Sequence, residues 1–194
     1  MSTSSIFAIF YVDVKKVKED QNMTNKTVFI DYDGVIAYFL KEKSLEEVAQ
    51  KGYTLTVPLV ESFCTALEKL MEDEGLSGYD FRLLSAVLNE DAKNDKITML
   101  TRRFGEKFAK KAAFVQYGMS KAPFAEGGNI LLDDFSKNLH EWESFGGVGI
   151  KVYNGINGNN GTWRGYSVHS TATNNVIYNT IKGVLVALES EKAA

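Results

Sequence analysis

The chain contains little cysteine, histidine and proline for its length of 194 residues. Its single cysteine, Cys64, excludes an intramolecular disulfide framework and a zinc cluster built on thiolates. Two histidines, His140 and His169, leave little for a metal site built on imidazoles. If the protein uses a metal, carboxylates must hold it, and carboxylates favour Mg²⁺ or another hard cation.

Long apolar runs and a strong excess of one charge are also missing. No apolar run approaches the roughly 18 residues that span a bilayer, and the apolar stretch 6–14 lacks the flanking residues of a signal peptide. The 22 basic and 25 acidic residues provide no overall basic field for stable nucleic-acid binding. We therefore expect a cytoplasmic protein without a membrane partner, and the lone cysteine fits a reducing compartment.

Apolar and polar residues alternate along the chain in a way that predicts both strands and helices. Runs typical of buried strands lie at 27–30, 81–84, 129–132 and 148–153. Segments typical of helices lie at 43–51, 59–74, 91–104, 105–117, 136–145 and 173–188. This order favours an α/β fold with a mostly parallel sheet flanked by helices. Residues 1–26 are interpreted as an N-terminal extension and linker, in which 6–14 forms an extra edge strand or a tail contact. Residues 154–165 are interpreted as a flexible loop.

Polar residues follow three of the predicted strands. Asp31 and Asp33 follow the first strand, Ser85 the second, and Asp133 with Asp134 the third. Because α/β proteins bind ligands beyond the carboxyl ends of their parallel strands, these residues are the candidates for a functional site.

Each acidic pair has two interpretations. In Asp31 and Asp33, one carboxylate could serve as nucleophile and the other as general acid and base, or the pair could cap the strand in a solvated turn. An EF-hand is excluded because apolar side chains occupy positions where oxygen ligands belong. Asp133 or Asp134 could cap the next helix, but a cap does not explain two adjacent acids. Asp31, Asp33 and Asp133 together could hold Mg²⁺.

A lysine near these acids would offset the repulsion between a nucleophilic carboxylate and a phosphate. Lys121 lies twelve residues before Asp133 and is the first candidate. Composition alone also allows Lys96, Lys107, Lys110 and Lys111.

The series of motifs resembles the haloacid dehalogenase-like (HAD) superfamily of phosphotransferases. The matching elements are DYDGV at 31–35, LLSA at 83–86, Lys121 and ILLDD at 130–134. The segment 131–155 is further similar to 5′(3′)-deoxyribonucleotidase-like proteins. The resemblance implies a Rossmann-like catalytic domain over 27–194, with a small helical cap inserted after the first motif at about 36–78.

The resemblance also implies a role for each motif residue. Asp31 would be the nucleophile that forms an aspartyl-phosphate, and Asp33 would protonate the leaving group and then activate water. Ser85 would hold the phosphoryl group, and Lys121 would pair with Asp31 and the phosphate.

A magnesium site is implied by the same motifs. Mg²⁺ would be held by the Asp31 carboxylate, the Asp33 backbone carbonyl and Asp133. Asp134 would orient the site through hydrogen bonds rather than contact the metal.

The substrate is less well defined by these patterns than the reaction. Tyr38, Phe39 and Tyr53 could stack on a base or sugar or could pack the cap, and Ala86 could contact the substrate. The function implied is a Mg²⁺-dependent phosphomonoesterase, a nucleotidase acting on a small-molecule nucleoside or deoxynucleoside monophosphate. The alternatives are a phosphatase or phosphotransferase for a non-nucleotide metabolite and a non-catalytic HAD-like binding protein. Self-association is left open.

Overall fold

A computed structural model describes residues 26–156 and 161–193 of the chain, with side chains up to residue 191. The predicted edge strand at 6–14 and all but the last residue of the predicted extension lie outside the described residues.

Within these described ranges, six strands form one parallel sheet in the order β3-β2-β1-β4-β5-β6. The strands are β1 (Lys26–Ile30), β2 (Tyr79–Val87), β3 (Ala113–Gln116), β4 (Ile130–Asp133), β5 (Val148–Tyr153) and β6 (Tyr166–His169). The predicted α/β architecture with a parallel sheet flanked by helices is confirmed.

In the part of the chain that the structure describes, seven helices accompany the sheet. They are α1 (Leu45–Val48), α2 (Tyr53–Thr56), α3 (Glu61–Glu72), α4 (Glu90–Phe104), α5 (Glu106–Ala109), α6 (Ser136–Ser144) and α7 (Asn174–Ala193). Single 3₁₀ turns occur at Glu74–Leu76, Ala122–Phe124 and Glu126–Gly128. Over the described ranges, no helix combines the length and apolarity that crossing a bilayer requires.

The central strands are buried on both faces. Val28 and Ile30 of β1 belong to a core cluster that includes Phe63 of α3 and Ile181 of α7. Phe29 points to the opposite face, where its ring lies edge-on to Trp142 of α6 at a centroid distance of 5.7 Å. Helices therefore cover both faces of the sheet and fix the carboxyl ends of its central strands.

Two sequence predictions need correction here. The helix predicted over 105–117 ends at Ala109, and the apolar residues that follow form β3 beside β2. Consecutive buried residues suit a strand covered on both faces, and such a short run cannot be distinguished from a helix by periodicity. Of the helix predicted over 43–51 only α1 forms, and α2 begins beyond that range, after Gly52 in the left-handed region (φ +85°).

The range predicted as a cap contains three helices with different surroundings. α1 and α2 are short and partly exposed, whereas α3 packs along α7. The cap boundaries at about 36–78 stay a prediction.

Candidate active site

The acidic motifs meet because β1 and β4 are neighbours in the sheet. Ile30 is in register with Leu132, so the residues that follow the two strands emerge side by side. The backbone N–H of Asp31 donates to the Leu132 carbonyl (2.9 Å), which continues the pairing one step beyond β1. Asp133 ends β4 and is fully buried. Register alone therefore brings Asp31 and Asp133 together.

Lys121 joins these two acids. Its Nζ lies 2.8 Å from Asp31 Oδ2 and 2.8 Å from Asp133 Oδ2, and its side chain is buried. Burial disfavours the ammonium charge, but Asp133 and Asp31 outweigh burial and raise the pKa of Lys121 above its usual range. Lys121 therefore remains a cation between the two carboxylates.

Lys96 reaches the site from the other side. This residue of α4 donates from Nζ to Asp33 Oδ2 (2.6 Å), Ser85 Oγ (2.9 Å) and the Ala86 carbonyl (2.9 Å). Its Nζ also lies 5.0 Å from the centre of the Tyr32 ring, within the range of a cation–π contact. Sequence patterns predict Lys96 only as an alternative to Lys121. The structure brings both lysines to the site: Lys121 contacts Asp31, and Lys96 contacts Asp33.

Ser85 lies within β2 rather than at its end. The strand continues to Val87, three residues beyond the predicted end at 84, and Ser85 is fully buried. Its hydroxyl is held toward Asp33 by their shared contact with Lys96.

Three buried carboxylates could hold a metal ion. Oxygen atoms of Asp31, Asp133 and Asp134 all lie within 4.8 Å of one another. Burial raises the pKa of Asp133, against the opposing effect of Lys121. Buried carboxylates are unfavourable without compensating cations, and a set of hard oxygen ligands suits Mg²⁺. These residues therefore fit the metal that the resemblance implies, with the Asp134 carboxylate inside the cluster.

The side chain of Asp33 lies apart from this cluster. It is 43% exposed and faces Lys96. The first motif thus presents one carboxylate to the metal cluster and one to the open side of the site.

Backbone hydrogen bonds orient two of the cluster acids. Asp31 Oδ1 accepts from the Tyr32 N–H (2.7 Å), and Asp133 Oδ1 accepts from the Phe135 N–H (2.7 Å). Asp133 Oδ2 also accepts from the Asn138 side chain (2.9 Å). The carboxylates are therefore held in place before any ligand binds.

Gly34 is required by the packing of the first motif. Its φ is +77°, and a Cβ at this position would lie 2.2 Å from Asp134 Oδ2. The Asn154 side-chain amide donates to the Gly34 carbonyl (2.9 Å) and to Asp134 Oδ2 (2.7 Å). Sequence reasoning missed Asn154, because it begins a segment rich in glycine and asparagine that predicts only a loop. It also missed Lys151, a buried lysine of β5 beside Asp134.

A cavity of about 320 Å³ opens beside Asp31 and Asp33. All four residues proposed for substrate binding line it: Tyr38, Phe39, Tyr53 and Ala86. Three further aromatic residues line the same cavity and were not predicted: Tyr32, Tyr117 and Phe135. The cavity is therefore large enough for a small organic group and is rich in aromatic side chains.

Helix α4 anchors the two short helices beside this cavity. The Gly52 N–H donates to Asp95 Oδ2 (2.7 Å), and the Asn89 side chain donates to the Ala49 carbonyl (2.8 Å). The helix that carries Lys96 therefore also positions the wall of the cavity.

Comparison with known proteins gives a likeness of fold. No protein-family profile matches the chain, and no curated protein matches it in sequence. The D,D-heptose 1,7-bisphosphate phosphatase of B. bronchiseptica, solved with magnesium and phosphate, superposes with a TM-score of 0.53 at 11% identity. That match covers 81% of this chain and 98% of the phosphatase. A glycosyltransferase of Rickettsia africae ESF-5 superposes with a TM-score of 0.50 at 13% identity, covering 97% of this chain and 43% of the other.

Proposed function

We propose that the chain is a Mg²⁺-dependent phosphomonoesterase and, more narrowly, a nucleotidase that hydrolyses nucleoside or deoxynucleoside monophosphates. The observation that carries the proposal is that two lysines contact different residues of the site. Lys121 bridges Asp31 and Asp133, and Lys96 contacts Asp33 and Ser85. The motif resemblance to HAD phosphotransferases supports it. So does the likeness of fold to a phosphatase that was crystallised with magnesium and phosphate.

The reaction consists of two displacements at phosphorus. Asp31 Oδ attacks the phosphoryl group, a phosphorus–oxygen bond forms, and the bond to the leaving oxygen breaks. Asp33, with Lys96 beside it, supplies the proton that the leaving oxygen takes up. Asp33 then accepts a proton from water as the water oxygen attacks phosphorus, which releases inorganic phosphate and restores the Asp31 carboxylate.

Charge on the phosphoryl oxygens is stabilised from several sides. Lys121, which contacts Asp31, and the Ser85 hydroxyl would stabilise the phosphoryl oxygens, and Lys96 lies within hydrogen-bond distance of that hydroxyl. Mg²⁺, held by Asp31, Asp133 and Asp134, would neutralise further negative charge when bound.

The aromatic walls of the cavity favour a flat leaving group. Tyr38 and Phe39 are 51% and 42% exposed, so their rings are accessible for stacking. Tyr53 lines the same space from α2. Base–aromatic stacking is favourable and tolerant of base identity, which suits a nucleoside.

The charges around the cavity favour a monophosphate. Among the described residues that line it, Lys43 and Lys96 are the only cations. Lys96 is bound to Asp33 and Ser85, and Lys43 pairs with Glu47 at 2.9 Å. A second phosphate on the leaving group would therefore find no free cationic cradle among these side chains.

The test is a phosphate-release screen on the purified chain. The substrates are nucleoside 5′- and 3′-monophosphates, deoxynucleoside monophosphates and sugar phosphates, each with Mg²⁺ and with EDTA. We expect release from the nucleotides that EDTA stops. Asp31→Asn should abolish turnover, whereas Asp91→Asn, the same change at an exposed position of α4, should retain it.

Each outcome has a defined meaning. Full activity in Asp31→Asn would remove the proposed nucleophile. Equal or better hydrolysis of sugar phosphates would remove the nucleotidase assignment but keep the phosphatase. Tight binding of Mg²⁺ and phosphate without turnover on any substrate would instead indicate a binding protein.

A further inference from the structure

Lys151 of β5 and Asn154, which directly follows that strand, hold Asp134 by different atoms. Lys151 Nζ donates to the backbone carbonyl of Asp134 and, at 3.1 Å, to Ser136 Oγ. Asn154 Nδ2 donates to the Asp134 carboxylate at 2.7 Å. Backbone and side chain of the same acid are thus fixed independently.

Lys151 is an unusual residue for the middle of a sheet. Its side chain is 1% exposed, and its position in β5 is in register with Asp133 of β4. Removing an ammonium group from water is unfavourable unless nearby groups compensate for it. Burial indeed lowers the pKa of Lys151, and the charges of Asp134 and Asp133 oppose that shift.

Asn154 connects the same acid to the first motif. Its amide donates to the Gly34 carbonyl (2.9 Å) as well as to Asp134 Oδ2. Gly34 lies so close to Asp134 that a Cβ would collide with the carboxylate. The loop after β1 and the loop after β4 are therefore joined through one amide.

The contacts that hold Asp134 also affect the carboxylate cluster to which it belongs. Asp134 contributes one of the three carboxylates whose oxygens lie within 4.8 Å of one another. The direction of its carboxylate depends on the peptide that Lys151 holds and on the amide of Asn154. Neither side chain belongs to the cluster itself.

We propose that Lys151 and Asn154 are positioning residues that preset the acid cluster for a divalent cation. The inference rests on the proposed function, because the cation is the Mg²⁺ of that proposal. Groups that hydrogen-bond to metal ligands from behind change metal affinity by about 10–100-fold when they are removed.

If Lys151 acted mainly through its charge, its removal would change the Mg²⁺ affinity in the opposite direction. A buried positive charge near the cluster repels Mg²⁺, so its removal would tighten metal binding if charge were the dominant effect. Removal of the Asn154 amide changes no charge and therefore measures positioning alone.

The experiment is calorimetric titration of Mg²⁺ into the metal-free protein, with the Mg²⁺-induced rise in melting temperature as a second readout. We expect Asn154→Ala and Lys151→Met to raise the Kd for Mg²⁺ by about 10–100-fold. Asn175→Ala is the matched control, because Asn175 accepts a hydrogen bond from Lys69 on the α3–α7 side. Its Kd should equal that of the wild type.

Asn154→Ala decides the question if Lys151→Met does not fold, because Asn154 is only partly buried. Unchanged or tighter Mg²⁺ binding by folded variants would overturn the inference. The two variants could bind Mg²⁺ more weakly than the wild type while the wild type hydrolyses no phosphomonoester. That result would refute the proposed function while the inference stands. A wild-type protein that binds no Mg²⁺ would overturn both.

Discussion

Lys96 Nζ lies 2.6 Å from Asp33 Oδ2, although the two residues are 63 positions apart in the chain. The Lys96 side chain is 5% exposed, while Asp33 remains open to the cavity. The acid that would move the proton therefore has a cation of its own, separate from Lys121, which contacts the nucleophile Asp31.

Replacing Lys96 tests whether this pair takes part in turnover. Lys96→Met should lower kcat by about 10²–10⁴-fold, the usual contribution of acid–base catalysis, because Asp33 and Ser85 lose their shared partner. Steady-state phosphate release at saturating Mg²⁺ is the measurement. Lys93→Met, on the same helix with its ammonium 3.5 Å from Glu90, is the control. Equal activity in the two variants would contradict the role of Lys96.

Alanine substitutions at Gly34 and Gly52 separate the cost of backbone strain from the cost of a steric clash by the added Cβ. Both have positive φ, +77° and +85°, so alanine at either position costs about 1–2 kcal/mol in backbone energy. A Cβ at Gly52 meets nothing within 4 Å, whereas one at Gly34 would lie 2.2 Å from Asp134 Oδ2. Urea unfolding should show Gly34→Ala to be the less stable variant, and only Gly34→Ala should also lose Mg²⁺ affinity. Equal losses of stability would show that the loop relaxes around the methyl group.

Tyr32 carries a buried hydroxyl without a hydrogen-bond partner among the described residues. Burial raises the pKa of Tyr32 above its usual range, so the phenol stays neutral. An unsatisfied buried polar group costs about 1–3 kcal/mol, so Tyr32→Phe should leave the free energy of unfolding unchanged or increase it.

Tyr79→Phe provides the matched comparison. Its hydroxyl donates to the Leu185 carbonyl at 2.9 Å, so the same substitution should destabilise the protein by about 0.5–1.5 kcal/mol. Chemical denaturation of both variants measures the difference. A larger loss in Tyr32→Phe than in Tyr79→Phe would indicate that the Tyr32 hydroxyl has a partner in solution.

Asp73 makes stability depend on acid pH. At the end of α3, it accepts hydrogen bonds from Lys182 and Tyr178 of α7, each at 2.6 Å. These bonds, first that from Lys182 and then that from Tyr178, lower its pKa from 3.8 to about 2. Because the folded-state value is the lower one, the stabilisation is present above about pH 4 and is lost as pH falls toward 2.

The measurement is the urea midpoint of the wild type and of Asp73→Asn over this range. The wild type should lose stability more steeply than the variant as pH falls from about 4 to about 2. Parallel curves would show that the carboxylate is not coupled to folding.

Strong local patterns account for most of what could be predicted of the fold. The central strands are short apolar runs, and α4 and α6 lie within two residues of their predicted limits, because apolar spacing and punctuating glycines are local signals. β3 and β6 could not be predicted, since each lies at an edge of the sheet and its stability comes from pairing with one other strand, β2 or β5. Such pairing joins distant parts of the chain and leaves little trace in either segment alone.

The sequence by itself determined which chemical groups are available. Carboxylates are the residues that could bind a metal, and two acids follow the first predicted strand and two follow the third. Parallel register between β1 and β4 then decided that Asp31 and Asp133 are adjacent. Only the tertiary structure decided which lysines join them, because Lys96, Lys121 and Lys151 come from separate elements, and their charge alone does not distinguish them from solvated lysines. Burial made the difference: an ammonium group taken from water must lie against carboxylates or carbonyl oxygens, and this fold places those oxygens at one edge of the sheet.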